Sequence, residues 1–522
     1  MFKKIFMLFK IGRKLSTSGA TYSIYEIYNP PFIIKVFFLV IGFSFSDKKN
    51  ITNLSPGEKL CGALEKMGTT FIKLGQFLAT RPDIIGEKVA SDLEKLQDKL
   101  PSFETHVVKN ILIDELGHKN FSQIKNLSGP VAAASIAQVH FANIEIENKS
   151  VEVAIKILRP NIEKFFNEEL DALMLLAYIV QNLIRKTKRL KLVEVVQLLR
   201  EVTNIEMDLR FEAAAANEFY ENTKNDLGFI VPKIYWNYTS KKILCLSKVN
   251  GISIREVDKL KLLKINTNKL AKNIIQNFLK HAIRDGFFHG DMHQGNIFVN
   301  ENGDIIPVDF GIMGRLDKNN KKYLAEILYG FIKRDYKKVA DVHFVAGLVP
   351  QNTSKEEFAQ ALRSIGEPIF GQSVKNISGS KLLSQLFSVT EKFNMQTQIQ
   401  LLILQKTMVV VEGVARKLDS ETNIWEVSRP VLENWLRNVK NPINIAGEAV
   451  NNASEVLKRL PNLPIIMDRA NDVMTLITEG KFNPNTMAYN SLKNEELKLE
   501  IIRNKILGGV LILVIFAFVV FK

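Results

Sequence analysis

Two short strings near the middle of the chain constrain everything around them. The first is Phe287-Phe288-His289-Gly290-Asp291-Met292-His293-Gln294-Gly295-Asn296, running on into the apolar Ile297-Phe298-Val299. The second, about a dozen residues later, is Val308-Asp309-Phe310-Gly311, preceded by Ile305-Ile306-Pro307. Either string alone occurs by chance in many chains. Together, each bounded by strand-like apolar runs, they demand a fold that gathers two carboxylates and an amide at one place.

An acid followed five residues later by an amide is the spacing of a phosphoryl-transfer loop, and Asp309 stands where a metal-binding Asp-Phe-Gly belongs. The chemistry explains the residue types. Asp291 would orient the proton of an attacking hydroxyl or water. Asn296 and Asp309 would hold Mg²⁺ on the phosphates of ATP.

A chain of 522 residues is long enough for two or three domains. Lys and Arg number 70 against 55 Asp and Glu, a net charge of +15. Such an excess points to a polyanionic partner: nucleic acid, anionic lipid or nucleotide phosphates. No zinc spacing, RNA-binding signature or dense Arg/aromatic run is present, so nucleic acid is set aside. Cys61 and Cys245 form no motif, in keeping with a reducing compartment.

The two ends carry the information on location. Ile506 to Phe521 is a run of 16 residues without a charge, between Lys505 and Lys522. As a helix it would span roughly 24 Å. That is short of the roughly 30 Å hydrocarbon core, a gap that snorkelling lysines and local thinning can close. We read it as a C-terminal anchor; a buried helix is the alternative. The N-terminus has Lys3, Lys4, Lys10, Arg13 and Lys14 with no acid before Glu26, among Phe2, Ile5, Phe6, Phe9 and Ile11. An amphipathic membrane-surface helix, a mitochondrial transit peptide and a solvated helix all fit that composition. The apolar run 32–45 contains Lys35, which favours an interfacial or buried place over a span.

Between these ends the elements come in a definite order. Residues 56–104 read as helices, with Leu60, Leu64, Met67 and Phe71 at helical spacing. Inside them lies Lys73-Leu74-Gly75-Gln76, which local physics alone would make a surface lysine and a packing glycine. Residues 103–121 read as another helix. Then comes an alanine-rich turn, Val131-Ala132-Ala133-Ala134-Ser135-Ile136-Ala137-Gln138-Val139, followed by the strand Val151–Leu158 with Lys156 pointing away from its apolar face. This is the layout of a nucleotide lid and a phosphate-pairing lysine. A strand-edge lysine in water is the plain alternative. Alanine gives up the φ > 0 freedom of glycine, so the lid should be stiff.

A long helical tract is expected from about Ile162 to Phe219. Glu206 and Glu212 within it are six apart, about 240° on one continuous helix, and so face different neighbours. Glu212 is a candidate acidic partner for Lys156. Ile230–Trp236 and Lys242–Leu246 read as paired strands, with a linker at Ser247–Gly251. After Asp309-Phe310-Gly311 the chain turns helical, and a linker at 480–495 precedes the tail.

In this order the motifs resemble those of the UbiB family of atypical kinases, over about residues 55–420 plus the apolar tail. The family's KxGQ motif is matched by Lys73, Gly75 and Gln76, its Ala-rich loop by Val131–Val139, and its strand lysine by Lys156. Its ExD pair is similar to Glu206 and Asp208, with Glu212 as the partner of the strand lysine. The catalytic Asp matches Asp291, and Asn296 and Asp309 match the metal ligands. The resemblance implies that Lys73 pairs with the ExD acids and gates the site against a protein substrate. Three departures stand out. His293-Gln294-Gly295-Asn296 replaces the usual H-P-G-N, Ser247 replaces a common hinge acid, and one apolar span replaces two.

The resulting expectation is an α+β fold: a two-lobed protein-kinase-like core, added N-terminal KxGQ helices, and a helical C-terminal region ending in a transmembrane segment. Its parts would be 1–54 (basic, membrane-proximal), 55–125 (KxGQ extension), 126–250 (upper lobe with inserted helices), 251–440 (lower lobe), 441–500 (helical tail and linker) and 501–522 (anchor). The resemblance implies an ATP- and Mg²⁺-dependent kinase or ATPase supporting ubiquinone biosynthesis. Membrane lipid, prenylated quinone precursors and other quinone-biosynthesis proteins are its expected partners. The setting would be a bacterial inner membrane with the core on the cytoplasmic side; a mitochondrial inner membrane is the alternative. A catalytically idle nucleotide-binding scaffold is the rival reading.

Overall fold

The computed structural model describes residues 54–79, 85–93, 101–133, 135–183, 191–371 and 399–439, with short pieces outside these ranges. Residues up to Trp435 form one compact unit, and a second begins at Leu436. The apolar run 506–521 and most of the basic N-terminus lie outside the described residues. Among those described, no helix is long and apolar enough to cross a membrane.

The first helices are α1 (Pro56–Met67), α2 (Thr69–Ala79) and α3 (Glu87–Leu93). A reciprocal capping box starts α1: Ser55 accepts from the Glu58 amide, and Glu58 accepts from the Ser55 amide. Gly75 explains itself in α2. A Cβ there would lie 2.3 Å from Leu96 Cδ1 and 2.8 Å from Leu64 Cδ1, so the glycine permits close packing. Next comes α4 (Thr105–Ser122), which lies against the upper sheet.

That sheet runs β1 (Ile124–Lys125), β3 (Ala137–Ile146), β4 (Lys149–Leu158), β5 (Ile243–Ser247), with β2 (Pro130–Ala133) added on β3; all pairs are antiparallel. Glu147 and Asn148, both at positive φ, make the two-residue turn between β3 and β4. Such a turn matches the strand twist and fixes the register. With side chains alternating, Val153, Ile155 and Ile157 face a core shared with Ile144, Ile243, Cys245, Val108 and Leu112. Each contributes about 1.5–3 kcal/mol by leaving water. The same alternation sends Lys156 to the opposite face.

The expected helical tract divides into α5 (Ile162–Leu183), α6 (Leu192–Glu206) and α7 (Leu209–Thr223). It breaks at Met207, and Asp208 caps α7 by accepting from the Arg210 amide at 3.1 Å. Glu206 therefore ends one helix while Glu212 sits in the first turn of the next, in place of the single continuous helix expected. The segment 230–236 also departs from expectation. It is no full strand: Ile234 makes one bridge to Leu246, and a 3₁₀ turn follows at Trp236–Tyr238. Pro232 lacks the N–H a ladder needs.

The lower part contains β6 (Ile252–Ser253), α8 (Val257–Leu262) and α9 (Thr267–Lys280), then a π-helical turn at His281–Asp285. The short strands β7 (Phe287–His289), β8 (Ile297–Val299), β9 (Ile305–Pro307) and β10 (Met313–Arg315) follow. Antiparallel pairing joins β7 to β10 and β8 to both β6 and β9. The remaining helices are α10 (Lys318–Ile332), α11 (Tyr336–Val345), α12 (Lys355–Gly371), α13 (Ile399–Leu418) and α14 (Ile424–Val439). This is a kinase-like α+β core: a β-rich upper part, a helical lower part, and the loop 290–296 held between two strand pairs.

Candidate active site

Three chain-distant charges meet first. Lys156 Nζ lies 2.9 Å from each carboxylate oxygen of Glu212 and 3.2 Å from Asp309 Oδ1. Strand β4 aims the lysine, and the Asp208 cap sets where α7 begins and so where Glu212 points. Burial alone would lower Lys156, but the charges of Asp309 and Glu212 outweigh it and hold the ammonium above its ordinary pKa. Asp309 is held well below the carboxylate range, first by Lys156, against burial, with Lys73 and His289 adding to the effect. Burial pushes Glu212 up; Lys156 opposes that, and the nearby Asp309 charge adds to it. Two carboxylates thus share one ammonium, leaving local negative charge for a cation.

Asp309 also has φ +63°, in the left-handed region, with its Oδ1 3.4 Å from the Gly311 amide. Aspartate tolerates that conformation better than most residues, and such strain clusters at functional sites. The Phe310 ring is buried against Phe219 of α7 and His289, with centroids 6.2 and 5.7 Å away. The helix carrying Glu212 therefore also packs on the residue after Asp309.

The loop 290–296 is fixed through its own polar groups. His289 Nδ1 accepts from the Asp291 amide at 3.1 Å, and Nε2 donates to the Val308 carbonyl at 3.2 Å. That pattern assigns a neutral ring, and burial pushes its pKa down. One imidazole thus joins the Asp291 loop to the strand leading into Asp309. Asn296 Nδ2 donates to the Asp291 carbonyl at 3.1 Å and reaches Asp291 Oδ2 at 3.4 Å. Its amide oxygen stays available to a cation. His293 Nδ1 accepts from the Gly295 amide at 2.9 Å, while its Nε2 faces Asp291 Oδ2 at 3.6 Å.

No cluster of three or more His, Cys, Asp or Glu able to hold a metal occurs among the described residues. A carboxylate and an amide oxygen fit Mg²⁺ nonetheless. That ion keeps waters and takes one or two protein ligands plus substrate phosphates.

The alanine-rich segment divides in two. Val131, Ala132 and Ala133 are on β2, the first two exposed, while Ser135, Ile136, Ala137 and Gln138 are buried; Ala134 lies outside the described residues. Gln138 turns its amide into the protein instead of covering a ligand. It accepts from the Phe103 amide at 2.9 Å and lies 2.9 Å from His140 Nε2. Val139 is half-buried beside it. The buried Ser135 Oγ has no hydrogen-bond partner among the described residues. An orphan hydroxyl at this place suits a phosphate oxygen or a water.

Lys73 Nζ is 2.7 Å from Glu206 Oε2, and both side chains are largely shielded. Asp208 is engaged elsewhere: besides its cap, it takes Arg210 Nε at 2.9 Å and Nη2 at 2.6 Å. Gln76 lies one turn beyond Lys73 on α2 and is half-buried.

Sequence reasoning missed two features that support this loop. Asp226 gathers Lys280, His281 and Arg284, tying the end of α7 to the π-helical turn before β7. Thr407 of α13 reaches the Gly290 carbonyl. Neither has a local signal: one is a single acid after a helix, the other a single Thr in an apolar helix.

The profile of the ABC1 atypical kinase-like domain matches residues 95–343, and that of the UbiB helical domain matches 362–423. A curated relative called "Probable protein kinase UbiB", from Marinobacter nauticus, is 36% identical over 445 residues, covering 84% of this chain and 80% of its own length. A solved structure, "The complex structure of Rv3197-erythromycin from Mycobacterium tuberculosis", overlays with a TM-score of 0.46 at 23% identity, covering 69% of this chain and 90% of that one. Matches to both the kinase-like and the helical segment, with a relative alike along most of both chains, decide the kinship: the chain belongs to the UbiB family of atypical kinases.

Proposed function

We propose that this is an ATP- and Mg²⁺-dependent kinase or ATPase that works at a membrane in support of ubiquinone biosynthesis. The observation that carries the reading is the meeting of Lys156, Glu212 and Asp309 across 153 residues of chain. Lys156, steadied by Glu212, would neutralise the α/β-phosphates. Asp309 and the Asn296 amide oxygen would hold Mg²⁺, which supplies charge neutralisation on the phosphates. Asp291 would take the proton as a hydroxyl or water oxygen bonds to the γ-phosphorus. The bond to the β–γ bridging oxygen breaks, and ADP leaves. Ser135 and the stiff β2 edge would cover the phosphates.

Water or a small lipid is favoured over a protein acceptor. Lys73 pairs with Glu206 at 2.7 Å, two residues before the Asp208 cap that starts the Glu212 helix, so α2 would stand beside the site. The 506–521 run would anchor the chain in the bilayer, and the acceptor would be, or travel with, a prenylated quinone precursor. The full chain is incubated with MgATP, with and without anionic liposomes. Free phosphate that rises with liposomes supports an ATPase, phosphate on an acceptor supports a kinase, and neither product supports an idle scaffold. Quinone content in a deletion strain, complemented with wild type or Asp291→Asn, tests the pathway. Full rescue by the variant contradicts the catalytic reading.

A further inference from the structure

Helix α13 follows the loop 290–296 by about a hundred residues, yet meets it repeatedly. Thr407 Oγ1, buried, lies 2.8 Å from the Gly290 carbonyl and 2.7 Å from the Ile403 carbonyl, sharing its single proton between them. Ile403, one turn earlier, packs so closely that a Cβ on Gly290 would come within 3.0 Å of it. A further turn back, Gln400 Oε1 accepts from the Arg315 amide of β10 at 2.9 Å. Residues 400, 403 and 407 share one helix face. Towards the end of the helix, Lys417 Nζ donates to Gln294 Oε1 at 2.9 Å.

These contacts fall on both sides of one residue. Gly290 precedes Asp291 and Gln294 follows it, and each is held by α13. Gln294 has no ring to fix its own φ, as a proline would. Its side chain is tethered by Lys417, and its carbonyl accepts from Ser253 at 3.2 Å. Rigidity that proline would supply within the loop is here supplied from another helix.

We propose that α13 is a brace for the Asp291 loop, with Thr407 and Lys417 as positioning residues for phosphoryl transfer. Neither touches the reacting atoms. Their effect is on where the Asp291 carboxylate lies relative to the nucleophile, and displacements of about 1 Å can cost about 100-fold in rate. The kinetic consequence rests on the function proposed above; the mechanical one does not.

The test uses the full chain in detergent or nanodiscs with MgATP. Thr407→Val keeps the shape and removes the hydroxyl; Thr407→Ser restores it. The expected result for Thr407→Val is a fall in kcat of about tenfold with KM for MgATP within about twofold of wild type, reversed in Thr407→Ser. Amide hydrogen exchange across 287–297 should rise in Thr407→Val and not elsewhere in the lower part. Lys417→Met, at a more exposed position, covers the case where Thr407→Val does not fold. It should raise exchange in the same peptide and lower kcat about threefold. An unchanged kcat beside normal wild-type turnover, or an unchanged exchange profile, overturns the brace. If the wild-type chain turns over no ATP, the function reading fails and the exchange result alone decides the brace.

Discussion

Asp309 points its carboxylate at Lys156, 3.2 Å away, although Lys156 is already held by both oxygens of Glu212. A lysine with two acids can release one to a metal and stay paired. Asp309→Asn should therefore keep the Lys156–Glu212 pair and the fold. Mg²⁺-dependent ATP turnover should drop at least about 100-fold, while the melting temperature moves by only a few degrees or less. Turnover at the wild-type rate would remove the metal assignment.

The orphan Ser135 hydroxyl gives a prediction with two opposite signs. Replacing it by alanine removes an unsatisfied buried group, so the chain without nucleotide should be unchanged or more stable by about 0.5–1 kcal/mol. MgATP affinity should fall about tenfold, the worth of one hydrogen bond to a charged group. Calorimetric titration and thermal denaturation of the same sample read both. Equal loss of stability and affinity would make Ser135 a packing residue.

The Lys73–Glu206 pair is shielded enough to count. A double-mutant cycle with Lys73→Met and Glu206→Gln should give a coupling of about 1–2 kcal/mol, above the 0–1 kcal/mol of exposed pairs. Proteolysis within α2 should quicken in each single variant. Additive effects would mean that the Lys73–Glu206 pair does not hold α2 in place.

His289 makes a pH prediction. Burial lowers it, aided by His293; the Val308 carbonyl, Asp291 and Asp309 oppose without prevailing. A histidine with a lowered folded pKa binds fewer protons folded than unfolded. Its contribution to stability is complete above the unfolded value of about 6.5 and is lost as pH falls towards the folded pKa. Protonation would also put a hydrogen on Nδ1, where the Asp291 amide now donates. Melting temperature and kcat should both fall from pH 7 to 5.5, and His289→Asn should flatten that slope in the melting temperature. A slope equally steep in the variant assigns it to other groups.

Much of this site could be read from residue types in order. Alternation along β4 put Lys156 opposite the core, and the Asp291–Asn296 spacing survives as an actual contact between them. What was hidden depended on the third dimension or on a break. The helical tract expected from 162 to 219 breaks at Met207, between Glu206 and Glu212, because Asp208 takes the capping role, a signal present in the string Asp208-Leu209-Arg210 but hidden by strong helical composition on both sides. Pro232 was a legible reason to doubt a strand at 230–236. Gln138 looked like lid and is an anchor, since no local pattern shows that Phe103 waits 35 residues upstream. Asp226 and Thr407 act on partners that only folding brings near.

The reach of α13 into the loop also bears on where this chain can be cut. The profile of the kinase-like domain ends at residue 343, which invites expression of a fragment that stops there. Such a fragment would retain every group proposed to meet nucleotide, yet lose Thr407 from the carbonyl before Asp291 and Lys417 from Gln294. If α13 is the brace proposed above, the smallest autonomous working piece runs at least through Leu418, and the segment that looks like an accessory is part of the engine's mounting.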